Sequence, residues 1–278
     1  MSDCSIMFEA KKFSPKLNHK YMSKLKLITY NVNGIRAAMN KGFVDWLKTE
    51  KPDIICLQEL KANPDQFDVS LYEKLGYHCF WKPAEKKGYS GVALLSKIKP
   101  DNVFDESGMK DYDNEGRILR ADIGDTTFFS CYFPSGTTGD IRQNFKYKFF
   151  DDFLTFINQL KKERKKIIVC GDWNICHKPI DIHDPVGNKN SSGFLPEERE
   201  WMQKFFDSGW IDSFREFNQQ PHQYTWWTFR HNARENNKGW RIDYNNCTNE
   251  MKSNLVSSEI LPNAKHSDHC PVKLELNL

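Results

Sequence analysis

The chain has 278 residues, 39% of them hydrophobic, with 40 lysines and arginines against 37 aspartates and glutamates, a net charge of +3. That mixture excludes a disordered chain, and a charge so near balance does not by itself announce a nucleic-acid binder. No apolar run approaches the roughly 20 residues of a membrane-spanning helix, and the eight cysteines lack the CxxC spacing of a zinc site, which points to a reducing, intracellular setting.

Residues 1–24 lack the apolar stretch of a secretory signal and read as a flexible N-terminal extension. No repeat or linker divides the remainder, so residues 25–278 are expected to form a single domain. Its first predicted strand, 25–31, runs into "NVNG" and ends on Asn31 and Asn33. A second, 53–58, is "DIICLQ" and delivers Glu59 at its tip. Short apolar runs predict further strands at 77–81, 91–96, 118–123 and 127–133, the last ending on Tyr132 and a Pro–Gly turn. Over 142–160, Phe145, Phe149, Phe153, Phe156 and Leu160 recur at steps of three and four, one buried face of an amphipathic helix. The strand 166–171 ends on Asp172 and Asn174. "LPEEREWMQKFFDSG" opens with proline and acids and closes on Gly209, which predicts a helix over 195–209. Strands are then expected at 224–229 and 271–276, with Asp243 in "GWRIDY" between them and Asp268 and His269 just before the last. Many strands with few helices suggest two packed sheets flanked by helices.

Each polar residue has a plain reading when taken alone. Asn31 caps a helix, Glu59 and Asp243 form ion pairs, Tyr132 packs, and His269 is a hydrogen-bonded core residue. Six strand ends that each present a carboxylate, amide, phenol or imidazole make a stronger case together. Carboxylates and amides without thiolates suit a hard cation such as Mg²⁺ or Mn²⁺. A His beside an Asp, with neutral donors around them, suits phosphodiester hydrolysis. No phosphate-binding GxxxxGK[ST] loop or serine elbow competes.

The segments "NVNGIRA", "LQELK", "GYSGVALLS", "CYFPSG", "GDWNI", "GNKNSSGFLPEERE", "DSFR", "GWRIDY" and "SDHCPV", in that order, resemble the exonuclease III family of apurinic/apyrimidinic (AP) endonucleases, from about Leu25 onward. That family lies within the deoxyribonuclease-I-like phosphodiesterases. The resemblance implies a four-layer α/β sandwich of two packed, mainly antiparallel sheets. It implies an Mg²⁺-dependent nuclease, with Mn²⁺ able to substitute, that cuts duplex DNA 5′ to abasic sites and trims blocked 3′ ends. It places Glu59, Asn33, Asp268, Asp172 and Asn174 at or near the metal, with Asp172 as base for the attacking water. Asn31 and Asn174 would hold the phosphate, Tyr132 would bind phosphate or stabilise the leaving oxygen, and Asp243 would hold His269. Arg36, Tyr89, Arg142, Asn188 and Arg230 would meet the DNA. Trp226, Trp240 and Ile242 would wall the abasic pocket. The implied protein is a monomer with no membrane partner. The same chemistry could serve a phosphoinositide, sphingomyelin or RNA, or the chain could be a non-catalytic relative; the tryptophan-rich 224–240 segment and "GNKN" favour DNA. Asn245–Thr248 depart from the apolar strand that follows "RIDY" in the family.

Overall fold

A computed structural model describes residues 24–278, so the expected extension lies outside the described residues apart from Lys24. The chain first makes β1 (Lys24–Asn31), β2 (Ile54–Gln58), β3 (His78–Lys82) and β4 (Val92–Ser96). It then lays down β5 (Asn102–Phe104), β6 (Ile118–Ile123), β7 (Thr126–Tyr132), β8 (Lys166–Asp172), β9 (Trp210–Asp212) and β10 (Asp243–Thr248) in a second sheet. Finally β11 (Leu255–Ile260) and β12 (Val272–Asn277) return to the first. The orders are β11-β12-β1-β2-β4-β3 and β5-β6-β7-β8-β10-β9. Each sheet has one parallel pair at its centre, β1 with β2 and β7 with β8, and is otherwise antiparallel. The two sheets therefore share one pattern of parallel and antiparallel pairing, although β12 and β1, unlike β6 and β7, are not consecutive in the chain.

Residues in β1, β2, β7 and β8 are buried on both faces, which is why these strands read as continuous apolar runs. Leu27, Cys56, Phe128 and Ile168 fill the space between the sheets. Helices α1 (Ile35–Asn40) and α2 (Phe43–Glu50) cover the first sheet through Ile35, Phe43 and Leu47. After the short α3 (Ser70–Glu73) and α4 (Lys110–Asn114), the long α5 (Asp140–Glu163) and α6 (Pro196–Asp207) cover the second. Phe149, Phe153 and Leu160 are buried as their spacing requires, and Phe145 and Phe156 pack partly buried beside them. Four layers result, the α/β sandwich expected.

Two expectations need correction. Residues 224–229 form no strand; Trp226 makes only isolated bridges to Trp240 and His269. A short apolar run suggested a strand there, yet Trp226 is joined only through isolated bridges. The second concerns Asn245–Thr248, which continue β10 fully buried despite their polarity. Asn245 Nδ2 donates to the Val272 carbonyl at 3.0 Å, whereas its Oδ1 and both amide atoms of Asn246 have no partner in the structure.

Candidate active site

The C-terminal ends of both parallel pairs open on the same rim. In register, Tyr132 of β7 neighbours Asp172 of β8, which neighbours Asp243 of β10. This close approach explains Gly171, since a Cβ there would lie 1.9 Å from the Cys131 carbonyl oxygen. From the other sheet, β1 delivers Asn31, and the turn after β2 delivers Glu59.

Asn31 Nδ2 joins the two sheets by donating to Glu59 Oε1 and to Asp172 Oδ2, both at 2.9 Å. Its Oδ1 accepts the Asn33 backbone N–H. Asn31 therefore sets the spacing of two carboxylates. Asp172 Oδ1 accepts the Asn174 N–H at 2.8 Å, and Asn174 Nδ2 donates to the Phe133 carbonyl at 2.9 Å. His269 sits between two acids, its Nδ1 2.9 Å from Asp243 Oδ2 and its Nε2 3.8 Å from Asp172 Oδ2. Both oxygens of Asp268 are engaged, one by Asn33 Nδ2 at 2.8 Å and the other by Trp226 Nε1 at 3.0 Å.

Burial raises the Asp172 carboxyl to about 7, with Asp243 and Glu59 adding to the rise and His269 opposing it. For His269, burial disfavours the charged ring, but Asp243 and Asp172 outweigh it and raise the imidazole to about 10. Burial likewise opposes ionisation of Glu59, yet Lys61 and Asn31 hold it below the usual carboxylate range. Tyr132 is pushed well up by burial and by the charges of Glu59 and Asp172, which keeps it a neutral donor.

Glu59, Asp172 and His269 each offer a ligand atom, all within 4.8 Å of one another. Glu59, Asp172 and Asp243 crowd more carboxylate into the rim than His269 and Lys61 neutralise, and Asp243 Oδ1 is buried without a partner. An acidic cluster of this kind could hold a hard metal ion. The rim is also rich in left-handed backbone, with φ of 44° at Asn33, 53° at Glu59, 51° at Lys61 and 52° at Asn174. Such conformations cost of order 1–3 kcal/mol each in non-glycine residues and gather where geometry is imposed for function.

The cleft beside this centre has a volume of ≈ 860 Å³ and reaches Trp226, Trp240 and Ile242. The two indoles meet edge to face, with ring centroids 5.9 Å apart at 89°. Ile242 is buried behind them, while both tryptophans stay partly exposed to the cleft.

The residues expected to meet DNA do not form one cluster. Arg36 and Arg230 are exposed. Arg142 and Tyr89 are tied together at 3.0 Å and both reach Glu115, Arg142 through two hydrogen bonds of 2.8 and 3.0 Å. Asn188 Nδ2 is engaged within its own loop by the carbonyls of His183 and Asp184.

Sequence reasoning missed two cations. Lys61 lies 2.6 Å from Glu59 Oε2 and 2.5 Å from Asn33 Oδ1; its place two residues after Glu59 in "LQELK" was the available signal. Arg117, buried, donates to the Tyr132 carbonyl at 2.8 Å and lies 5.0 Å over the Tyr132 ring. Nothing local in the sequence marks it.

Residues 28–244 match the Endonuclease/Exonuclease/phosphatase family. The chain is 38% identical to an exodeoxyribonuclease of Bacillus subtilis, covering 91% of this chain and 100% of that one. It is also 38% identical to the DNA repair nuclease APEX1 of Danio rerio, over 91% of this chain and 83% of that one. The solved structure of an AP endonuclease from Archaeoglobus fulgidus superposes with a TM-score of 0.84 at 28% identity, covering 91% of this chain and 100% of that one.

Proposed function

Because the chain belongs to the endonuclease/exonuclease/phosphatase family, as an exonuclease III-type nuclease, we propose that it hydrolyses the phosphodiester 5′ to abasic sites in duplex DNA. The reading takes Mg²⁺ as the cofactor, with Mn²⁺ able to substitute. It takes the protein as an intracellular monomer that also trims blocked 3′ ends. What carries it is one adjacency: the acidic centre opens into the same cleft as Trp226, Trp240 and Ile242. A stiff apolar pocket admits a bare deoxyribose and excludes a sugar that still bears its base, and a missing base makes it cheaper to swing the nucleotide out of the stack. The described cysteines are free, in keeping with a reducing compartment.

In this reading Asp172 orients a water and takes its proton as the water oxygen attacks phosphorus. The bond from phosphorus to the 3′ oxygen breaks, and that oxygen takes a proton from solvent water, leaving a 3′ hydroxyl on one side and a 5′ deoxyribose phosphate on the other. His269, charged and held by Asp243, donates from Nε2 to a non-bridging phosphate oxygen. The second amide hydrogen of Asn174 and the phenol of Tyr132 donate to the phosphate as well. Asn31 fixes the distance between Glu59 and Asp172, and Asn33 with Trp226 fixes Asp268. A divalent cation at Glu59 and Asp172 would offset the charge that grows on the phosphate and the leaving oxygen. Arg36, Tyr89, Arg142, Asn188 and Arg230 contact the backbone of the duplex.

The test is a labelled duplex with one abasic site, incubated with the protein in Mg²⁺ and in EDTA. A single cut 5′ to the site that EDTA abolishes is expected. Absence of that cut in Mg²⁺, or its persistence in EDTA, overturns the reading.

A further inference from the structure

Lys146 of α5 and Glu198 of α6 form an ion pair of 2.6 Å in which neither side chain has any exposed surface. A buried ion pair rarely adds stability over a well-packed apolar pair, so its contacts are the place to look for a purpose. On one side, Lys146 Nζ donates to the backbone carbonyl of Asn174 at 2.8 Å. Asn174 is the left-handed residue two positions after Asp172 in the rim. On the other side, Glu198 Oε2 accepts the backbone N–H of Gly193 at 2.5 Å and of Leu195 at 3.0 Å. Its Oε1 takes Gln143 Nε2 at 3.0 Å and Ser192 Oγ at 3.3 Å. Gly193 in turn lies against the pocket: a Cβ there would meet Trp240 at 2.9 Å and the Asn174 carbonyl at 3.1 Å.

We propose that the Lys146–Glu198 pair is a positioning clamp that sets the distance between the phosphate-holding Asn174 and the pocket wall at Gly193 and Trp240. The proposal rests on the abasic-pocket reading above. Both arms of the pair end on backbone, so side-chain adjustment cannot absorb a change in it. The turn after β8 and the segment 192–195 share a backbone hydrogen bond from the Cys176 N–H to the Gly193 carbonyl at 2.7 Å, and both are also held to one carboxylate and one ammonium. Recognition of the sugar and aim at the phosphorus are then coupled, because moving the wall moves the carbonyl of Asn174. Neither residue touches substrate. Both act through others.

Lys146→Met leaves Glu198 with four of its five donors and removes the arm to Asn174. Measured on an abasic duplex and on the 3′ end of an undamaged duplex, this variant is expected to lower kcat on the abasic substrate by on the order of 10-fold to 100-fold, as a displacement of about 1 Å can. KM should stay near the wild-type value, and the ratio of kcat/KM for abasic over undamaged DNA should fall. A merely structural loss would lower both substrates alike and leave that ratio unchanged. If Lys146→Met does not fold, the Lys146→Met/Glu198→Gln variant, which buries no net charge, carries the same test. Hydrogen exchange of the Gly193 and Leu195 amides gives a readout that needs no substrate, and protection should drop in the variant. A folded variant with wild-type discrimination and wild-type protection at both amides overturns the clamp. Should the wild-type protein fail to cut abasic DNA, the proposed function falls, and the clamp is then decided by amide exchange alone.

Discussion

Asp172 and Asp243 stand directly opposite each other on neighbouring strands, and the His269 ring lies against both, 2.9 Å from Asp243 and 3.8 Å from Asp172. Two buried carboxylates this close repel, and one cationic ring between them relieves the repulsion. The arrangement favours a protonated His269 and an Asp172 that gives up its proton reluctantly, the pairing an acid–base site needs.

Asp172→Asn keeps the shape and removes the proposed base. The chemical step should slow by roughly 10²–10⁴-fold, with far less change in abasic-DNA binding because the loss falls on the transition state. Single-turnover kinetics beside a binding titration separates the two. A variant that keeps most of its single-turnover rate removes Asp172 from the mechanism.

Glu59→Ala takes away one of the two carboxylates that Asn31 bridges. The Mg²⁺ concentration for half-maximal activity is expected to rise, with folding largely spared because Glu59 sits in a turn beyond β2. Overlaying metal titrations for variant and wild type would show that the cation is held elsewhere.

Trp240→Ala opens the pocket on the side where Gly193 packs. Discrimination between abasic and intact nucleotides should relax, seen as a lower ratio of kcat/KM on the two duplexes. If a variant still folded by circular dichroism keeps the wild-type ratio, Trp240 is packing and the pocket lies elsewhere.

Asp181 carries the acid-side prediction. Burial opposes its ionisation, but Arg241 at 2.8 Å and Arg215 at 2.6 Å hold the carboxyl down to about 2. A carboxyl depressed in the folded state stabilises above its unfolded value near 4 and loses that stabilisation as pH falls toward 2, a contribution of about 2 kcal/mol. Thermal melts from pH 5 down to pH 2.5 should fall more steeply for wild type than for Asp181→Asn, which starts lower. Parallel curves would show that the ion network does not govern acid stability.

The legible parts of this fold were those dictated by local chemistry. β1, β2, β7 and β8 announce themselves because strands buried on both faces must be apolar throughout. The helical steps from Phe145 to Leu160 announce α5, which extends two residues earlier and three later than expected. β10 hid behind Asn245 and Asn246, since a polar run does not advertise burial. At the site, residues at strand tips could be named, whereas their supports could not. Lys146 and Glu198 stand 52 residues apart, and Arg117 and Tyr132 meet only through the sheet. Contacts of that separation leave no local period to read.

The pairing of β12 with β1, Lys24 opposite Asn277 in register, bears on when the protein becomes active during its own synthesis. Until β12 has been made, β1 has an open edge and the first sheet is two strands short. The segment leading into β12 also carries Asp268 and His269. A growing chain thus gains its last core strand and the His269 imidazole within a few residues of each other, so the first sheet and the acidic rim are completed together.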